Sequence, residues 1–160
     1  APMRESMAAM FLREAGYDGR EPVLDPMCGS GTFVIEAAEI ANGLQPGRSR
    51  SFAFEHFASF DRGAFDALRR PVDLADGPAR FFGSDRDAGA IKMSMANAER
   101  AGVSGQCAFA CHGAAEAAPP AGPPGLVIVN PPYGGRIGNK KLLFALHGSF
   151  GETMRTKFRG

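Results

Sequence analysis

Apolar positions along the chain alternate between two spacings, one helical and one of short unbroken runs. Met7, Ala8, Met10, Phe11 and Ala15 recur at roughly helical spacing and predict a helix over about 4–15, with Gly16 to stop it. "EPVLDPMCGSGTFVIEAAEIANG" then reads as a short strand ending at Asp25, a glycine-rich turn, and a helix from about Thr32 to Ala41 that Asn42-Gly43 closes. "ARFFGSD" predicts a second strand ending at Asp85. "DAGAIKMSMANAERAG" predicts a helix with Ile91, Met95 and Ala98 inward and Gly102 at its end. "QCAFAC" is a weaker third strand and "AAPPAGPPG" a proline-rich surface turn. "GLVIVN" is a fourth strand, whose apolar run without alternation predicts burial on both faces. Leu142, Leu143, Leu146, Phe150, Met154 and Phe158 suggest one or two closing helices.

Between the first two units, residues 44–78 lack this regularity. Phe52, Phe54, Phe57 and Phe60 crowd into "SFAFEHFASFD", and so many rings call for burial. The segment therefore reads as an ordered excursion packed on the core, with a short helix near Ala64 to Arg70. Strands alternating with helices across short loops predict an α/β fold: a mostly parallel sheet with right-handed crossovers, in one domain spanning residues 1–160. Ligands of such sheets sit at the carboxyl ends of the strands, where "DPMCGSGT", "GSDRD" and "NPPYG" all fall. The three segments should share one cleft.

Composition narrows the partners only a little. Lys and Arg total 18 against 17 Asp and Glu, but from Arg136 onward six basic residues face Glu152 alone, a distribution suited either to phosphates or to a solvated helix face. Cys28, Cys107 and Cys111 form no CxxC pair, so neither a disulfide framework nor a thiolate zinc site is suggested, and a reducing, cytoplasmic setting fits. No apolar run approaches a membrane span, and the leading residues lack a signal-peptide core.

Each of the three segments has a chemistry of its own. Gly29 and Gly31 let the backbone turn tightly and approach a ligand, and the following helix brings unpaired N–H groups toward it. No Lys follows as a P-loop requires, so phosphate cradling is disfavoured. Asp85, ending the next strand, is placed to accept from the two hydroxyls of a ribose, while Asp87 suits the helix N-cap. Asp25 could fix the turn before Pro26 or face a cationic ligand group. These pieces describe a site for a nucleoside-like cofactor without a pyrophosphate. In "NPPY", Pro131 and Pro132 remove two donors and leave carbonyls free, Asn130 adds an acceptor, and Tyr133 offers a flat face. That set suits an exocyclic amino group on a planar heteroaromatic ring. His112, at the end of the third strand, could touch the cofactor ring or be a partly exposed loop residue. Cys28 reads as a small packed residue, and Cys107 and Cys111 as core or near-core residues on one side of a strand.

Taken in order, "DPMCGSGTFVIEAA", "GSDRDAGAI" and "NPPYGGRIG" resemble class I S-adenosylmethionine-dependent methyltransferases. With the leading "APMRESMAA" and the aromatic "FAFEHFASFD", the chain is similar over nearly its whole length to the RNA methylase family of ribosomal RNA large-subunit and tRNA guanine-N2 methyltransferases, often carrying a THUMP domain. The resemblance implies a Rossmann-like class I methyltransferase fold with S-adenosyl-L-methionine as cofactor and no metal. Asp25, Met27, Cys28, Gly29, Gly31 and Thr32 would line its methionine and sulfonium end, Asp85 would hold the ribose, and Arg86 would lie beside the adenine. Asn130, Pro131, Pro132 and Tyr133 would form the target-base pocket, and Arg4, Glu5 and Ser6 would close over the cofactor. Many members have an Asp or Asn after the third strand to bond the adenine amino group, where this chain has His112-Gly113.

The class I fold has seven strands, so the sequence predicts a partial catalytic domain that ends after the fourth strand and its helix, leaving that strand as an open edge. The expected activity is methylation of an exocyclic base amine in RNA, guanine N2 of 23S ribosomal RNA, with RNA as partner. Three alternatives remain: an adenine-N6 DNA methyltransferase, a tRNA guanine-N2 methyltransferase, and a non-catalytic nucleotide-binding fragment. A Rossmann oxidoreductase fits least, because GSG lacks the third glycine of GxGxxG.

Overall fold

The computed structural model describes residues 3–69, 79–132 and 140–158. Four parallel strands, β1 (Val23–Asp25), β2 (Phe81–Asp85), β3 (Cys107–Cys111) and β4 (Leu126–Val127), form one sheet in the order β3-β2-β1-β4. The helices α1 (Glu5–Glu14), α2 (Thr32–Ala41), α3 (Arg62–Leu68), α4 (Ala88–Ala101) and α5 (Lys140–Lys157) accompany it. From β1 the chain moves outward to β2 and β3, then returns across β1 to place β4 on the other side. That reversal opens a crevice above the carboxyl ends of β1 and β4. The expected parallel α/β architecture is present, and its register sets β1 and β2 unequally. Asp25 lies opposite Gly83, so β2 runs two residues further and carries Asp85 past the end of β1.

Burial of one face explains α1, α2 and α4. In α1, Ala8 and Leu12 are fully buried one turn apart, and the helix ends where Gly16 takes φ +82° and Tyr17 N–H donates to the Leu12 carbonyl at 3.0 Å. In α2, Phe33, Val34, Ala37 and Ala38 are buried, and the Tyr17 hydroxyl donates to the Ala37 carbonyl at 3.2 Å, fastening α2 to the end of α1. The Asp87 side chain caps α4 as expected, accepting from the N–H groups of Gly89 and Ala90 at 2.7 and 3.2 Å.

Four expectations need correction. On α4 the inward stripe is Ile91, Ser94 and Ala98; Met95 is 57% exposed, because its position lies about a third of a turn round from that stripe. The strand β4 is only two residues long, and residues 126–129 are half-buried; as an outer strand it is paired on one side alone. Cys111 is exposed at the rim of β3, while Cys107 at its base is half-buried. The phenylalanines of the excursion do not pack on the main core. Phe52, Phe54, Phe60 and Phe65 instead pack on one another with ring centroids 5.1–6.2 Å apart, and Phe57 is 66% exposed. Guanidinium groups of Arg50, Arg62 and Arg69 cover Phe52, Phe60 and Phe65, supplying the cover a core would otherwise give. Arg48 ties this unit to the body, pairing with Glu39 at 2.6 Å and donating to the Ala101 carbonyl. Residues 70–78 of the excursion lie outside the described residues.

The entry to β4 is a close backbone approach. Leu126 N–H donates to the Pro22 carbonyl at 2.8 Å, and a Cβ added at Gly125 would lie 2.2 Å from that same oxygen. Gly125→Ala therefore has to separate β4 from β1, and urea unfolding should show a loss of roughly 1–3 kcal/mol. An unchanged midpoint would mean that the sheet does not depend on this approach.

Candidate functional site

Above the carboxyl ends of the strands lies an open cleft of about 900 Å³. Its floor is built by the turn between β1 and α2, its far wall by the end of β2, and its rim by residues 113–115 and 130–132. Met7 and Phe11 of α1, exposed on the side away from Ala8 and Leu12, line the remaining flank.

Hydrogen bonds to both neighbouring strands fix the turn. Asp25 Oδ1 accepts from the Met27 N–H at 3.0 Å, so the last residue of β1 starts the turn with its own side chain. Cys28 N–H donates to the Ser84 carbonyl at 2.9 Å and Gly29 N–H to Asp85 Oδ2 at 3.1 Å, anchoring the turn along β2. Asp85 Oδ1 accepts from the Asp87 N–H at 2.9 Å, so one carboxylate joins the turn to the start of α4. Gly29 has φ +53° and Gly31 φ +82°, a region that favours glycine, and a Cβ at Gly29 would meet nothing within 4 Å. The open side of Gly29 lets a ligand come against the backbone.

Charge in the cleft is divided between floor and rim. Asp25 is 2% exposed, and its carboxyl is raised to about 7, chiefly by burial and further by the negative charge of Asp85, against the lowering effect of the Met27 N–H. Burial likewise pushes the Cys28 thiol up to about 12, with Asp25 adding to it, which keeps this sulfur an inert packed group at neutral pH. Arg4 and Arg86 stand among the lining residues and bring the only guanidinium groups of the described lining. Such a cleft suits a ligand with a cationic group for the floor and hydroxyls for the carboxylates. Among the described residues, no three His, Cys, Asp or Glu side chains group as metal ligands, and no helix is long and apolar enough to cross a membrane.

Asp25, Met27, Cys28, Gly29, Thr32, Asp85, Arg86, Asn130, Pro131 and Pro132, singled out from the sequence, all line this cleft. Gly31 does not; a Cβ there would lie 3.1 Å from Ser94 Cβ and 3.3 Å from the Phe109 ring, so its place is in the packing beneath the turn. His112 does not either. Its Nδ1 lies 3.1 Å from the Gly113 carbonyl, and Gly113, Ala114 and Ala115 take the rim position expected for it. Arg4 lines the cleft, whereas Glu5 and Ser6 are exposed outside it. Tyr133 lies outside the described residues. Among the lining residues that the sequence did not single out for the site are Met3, Met7, Phe11, Phe33, Leu146 and Ser149. For Met7 and Phe11 a signal existed, since they stand four residues apart on a helix whose buried positions are Ala8 and Leu12.

Fold and cleft together define a class: an open, parallel α/β domain with its cleft at the topological switch point of the sheet. The chain belongs to the family described as "RMKL-like, methyltransferase domain", which matches residues 1–160. It is 40% identical over 170 aligned positions to the ribosomal RNA large subunit methyltransferase K/L of Vibrio campbellii, an alignment covering all of this chain and 24% of that protein. The chain thus spans about a quarter of the length of this curated relative. Among solved structures it is similar to a possible methylase from Clostridium difficile 630, with TM-score 0.87 and 32% identity over 98% of this chain and 42% of that one. It is also similar to SMU.472 complexed with SAH, with TM-score 0.83 and 30% identity over 96% of this chain and 41% of that one.

The buried carboxyl makes stability depend on pH with a definite sign. Unfolded, Asp25 ionises near 3.8; folded, it holds its proton to about 7. Between these values the folded state binds more protons, so this group's contribution to stability falls as pH rises. Asp25→Asn removes that slope and keeps an acceptor for Met27. Denaturation of both proteins from about pH 4 to about pH 8 should show the variant gaining on the parent by up to roughly 4 kcal/mol. A difference that is constant with pH would mean that Asp25 ionises normally.

Proposed function

We propose that this chain is the cofactor-binding and catalytic part of an S-adenosylmethionine-dependent methyltransferase that modifies an exocyclic base amine in RNA, guanine N2 of large-subunit ribosomal RNA. The observation that carries the reading is the convergence of the Asp25–Thr32 turn, the Asp85 carboxylate and the Asn130-Pro131-Pro132 rim on one cleft. The K/L methyltransferase likeness and the SAH-bound neighbour support the same cofactor and substrate class.

The residues present fit this cofactor. Asp85 uses one lone pair of each oxygen on the N–H groups of Gly29 and Asp87, leaving the others to accept from two ribose hydroxyls. Asp25, ionised, would hold the ammonium of the methionine portion, and Gly29 leaves open space beside the backbone for that chain. Arg86, Gly113 and Ala114, which line the cleft, would border the adenine. Bound there, the cofactor supplies an electrophilic methyl group on a sulfonium centre.

Binding the acceptor falls to the rim. An exocyclic amine is a weak nucleophile because its lone pair is delocalised into the ring. The Asn130 side-chain carbonyl and the Pro131 carbonyl accept its two N–H groups, orient the lone pair toward the floor, and hold the amine for in-line attack. Pro131 and Pro132 contribute no competing N–H and keep the backbone rigid. Asn130 is exposed, as a residue must be that meets a base swung out of an RNA strand. Neutral Asn130 does not take the proton, which leaves to water.

Calorimetric titration with SAH tests the cofactor assignment. Saturable binding is expected, weakened about tenfold or more in Asp85→Ala. Labelled methyl transfer to ribosomal RNA, followed by digestion to nucleosides, should then yield N2-methylguanosine. A folded chain that binds no SAH overturns the cofactor assignment, and N6-methyladenosine as the product overturns the choice of guanine.

A further inference from the structure

The carbonyl side of the glycine-rich turn is held by residues outside the motif. Ser94, fully buried on α4, donates its hydroxyl to the Gly29 carbonyl at 2.7 Å, with the Ala90 carbonyl a second acceptor at 3.1 Å. One turn further along the same face, Asn97 Nδ2 donates to the Ser30 carbonyl at 2.9 Å. The orientation of that amide is set from behind, because the Arg100 guanidinium, which can only donate, bonds to Asn97 Oδ1 and leaves the NH2 for Ser30. Gly29 is thus held on both sides, its N–H by Asp85 and its carbonyl by Ser94. Gly31 is flush against the same hydroxyl, since a Cβ there would lie 3.2 Å from Ser94 Oγ.

A turn carrying two left-handed glycines has many conformations open to it unless its polar groups are tied down. We propose that Ser94 and Asn97 are positioning residues, which clasp the carbonyls of Gly29 and Ser30 to α4 and so preorganise the turn for the cofactor. The role of the clasp in binding rests on the cofactor reading above; its role in ordering the turn does not. Neither side chain lines the cleft, and both act through the backbone they hold. Preorganisation of this kind raises affinity by removing an ordering cost from the binding step. The clasp also makes α4 part of the site, through Ser94 and Asn97 along its length, beside the Asp87 cap that Asp85 holds at its start.

Two variants test this. Asn97→Asp keeps the side-chain shape and the acceptor for Arg100 but replaces the donor with a carboxylate oxygen facing the Ser30 carbonyl. Ser94→Ala removes the other bond. Amide hydrogen exchange is expected to be about tenfold or more faster at residues 29–31 in each variant, with amides of α1 and β2 unchanged. The SAH dissociation constant should rise about tenfold or more while the melting temperature moves by only a few degrees. A structural role alone would lower the melting temperature and speed exchange throughout. Turn exchange in Asn97→Asp equal to that of the parent overturns the proposal, as does unchanged SAH affinity with a loosened turn. If the parent chain binds no SAH, the cofactor reading falls, and the exchange comparison still decides whether the clasp orders the turn.

Discussion

The carboxylate of Asp85 receives two backbone N–H groups, one from Gly29 and one from Asp87, and the geometry of the cleft follows from that bridge. It is available because β2 outruns β1 by two residues, which brings a side chain from one strand level with the turn that leaves the other. The same carboxylate holds the N–H of Asp87, the residue that caps α4, so the turn, the sheet and the helix are brought into register by one side chain. Its lone pairs are not exhausted by these bonds, which is why a structural anchor can also receive a ligand hydroxyl.

Asp25 shows what this arrangement costs. A carboxyl at the end of a three-residue buried strand, with Asp85 nearby, is held at about 7, well above the ordinary carboxylate range. No buried cation in the described structure relieves it. Functional sites concentrate such strain, because a ligand carrying the missing charge recovers the energy on binding. The expense is met elsewhere, by the dry packing of α1 against α2 and by the hydrogen bonds that fix the turn.

Much of this was legible in the sequence, and the reasons are particular. Asp25 and Asp85 could be placed because each ends an apolar run and is followed by turn or cap residues, so strand ends were marked on both sides. Asn130-Pro131-Pro132 stood out because nothing in a strand requires them. The inward stripe of α4 was misread since Met95 is apolar and Ser94 is not, and periodicity cannot reveal that a buried hydroxyl has two carbonyls to bond. The phenylalanines of the excursion call for burial against the core, because local sequence does not disclose that arginines cover them. For His112 the sequence leaves two places open, the cofactor ring or a partly exposed loop; the structure has the second, and the rim is formed by Gly113 and small residues. Contacts between segments distant in the chain, such as Asn97 with Ser30, leave no mark in either segment alone.

The most direct test of the account is the titration of the Asp25 carboxyl carbon by NMR, in the free chain and at saturation with SAH. The account predicts a value near 7 in the free protein and a fall of about one unit or more when the ligand's ammonium is bound beside it. A carboxyl in the ordinary carboxylate range, or one that SAH leaves unmoved, would contradict the claim that this floor is built to receive a cationic ligand.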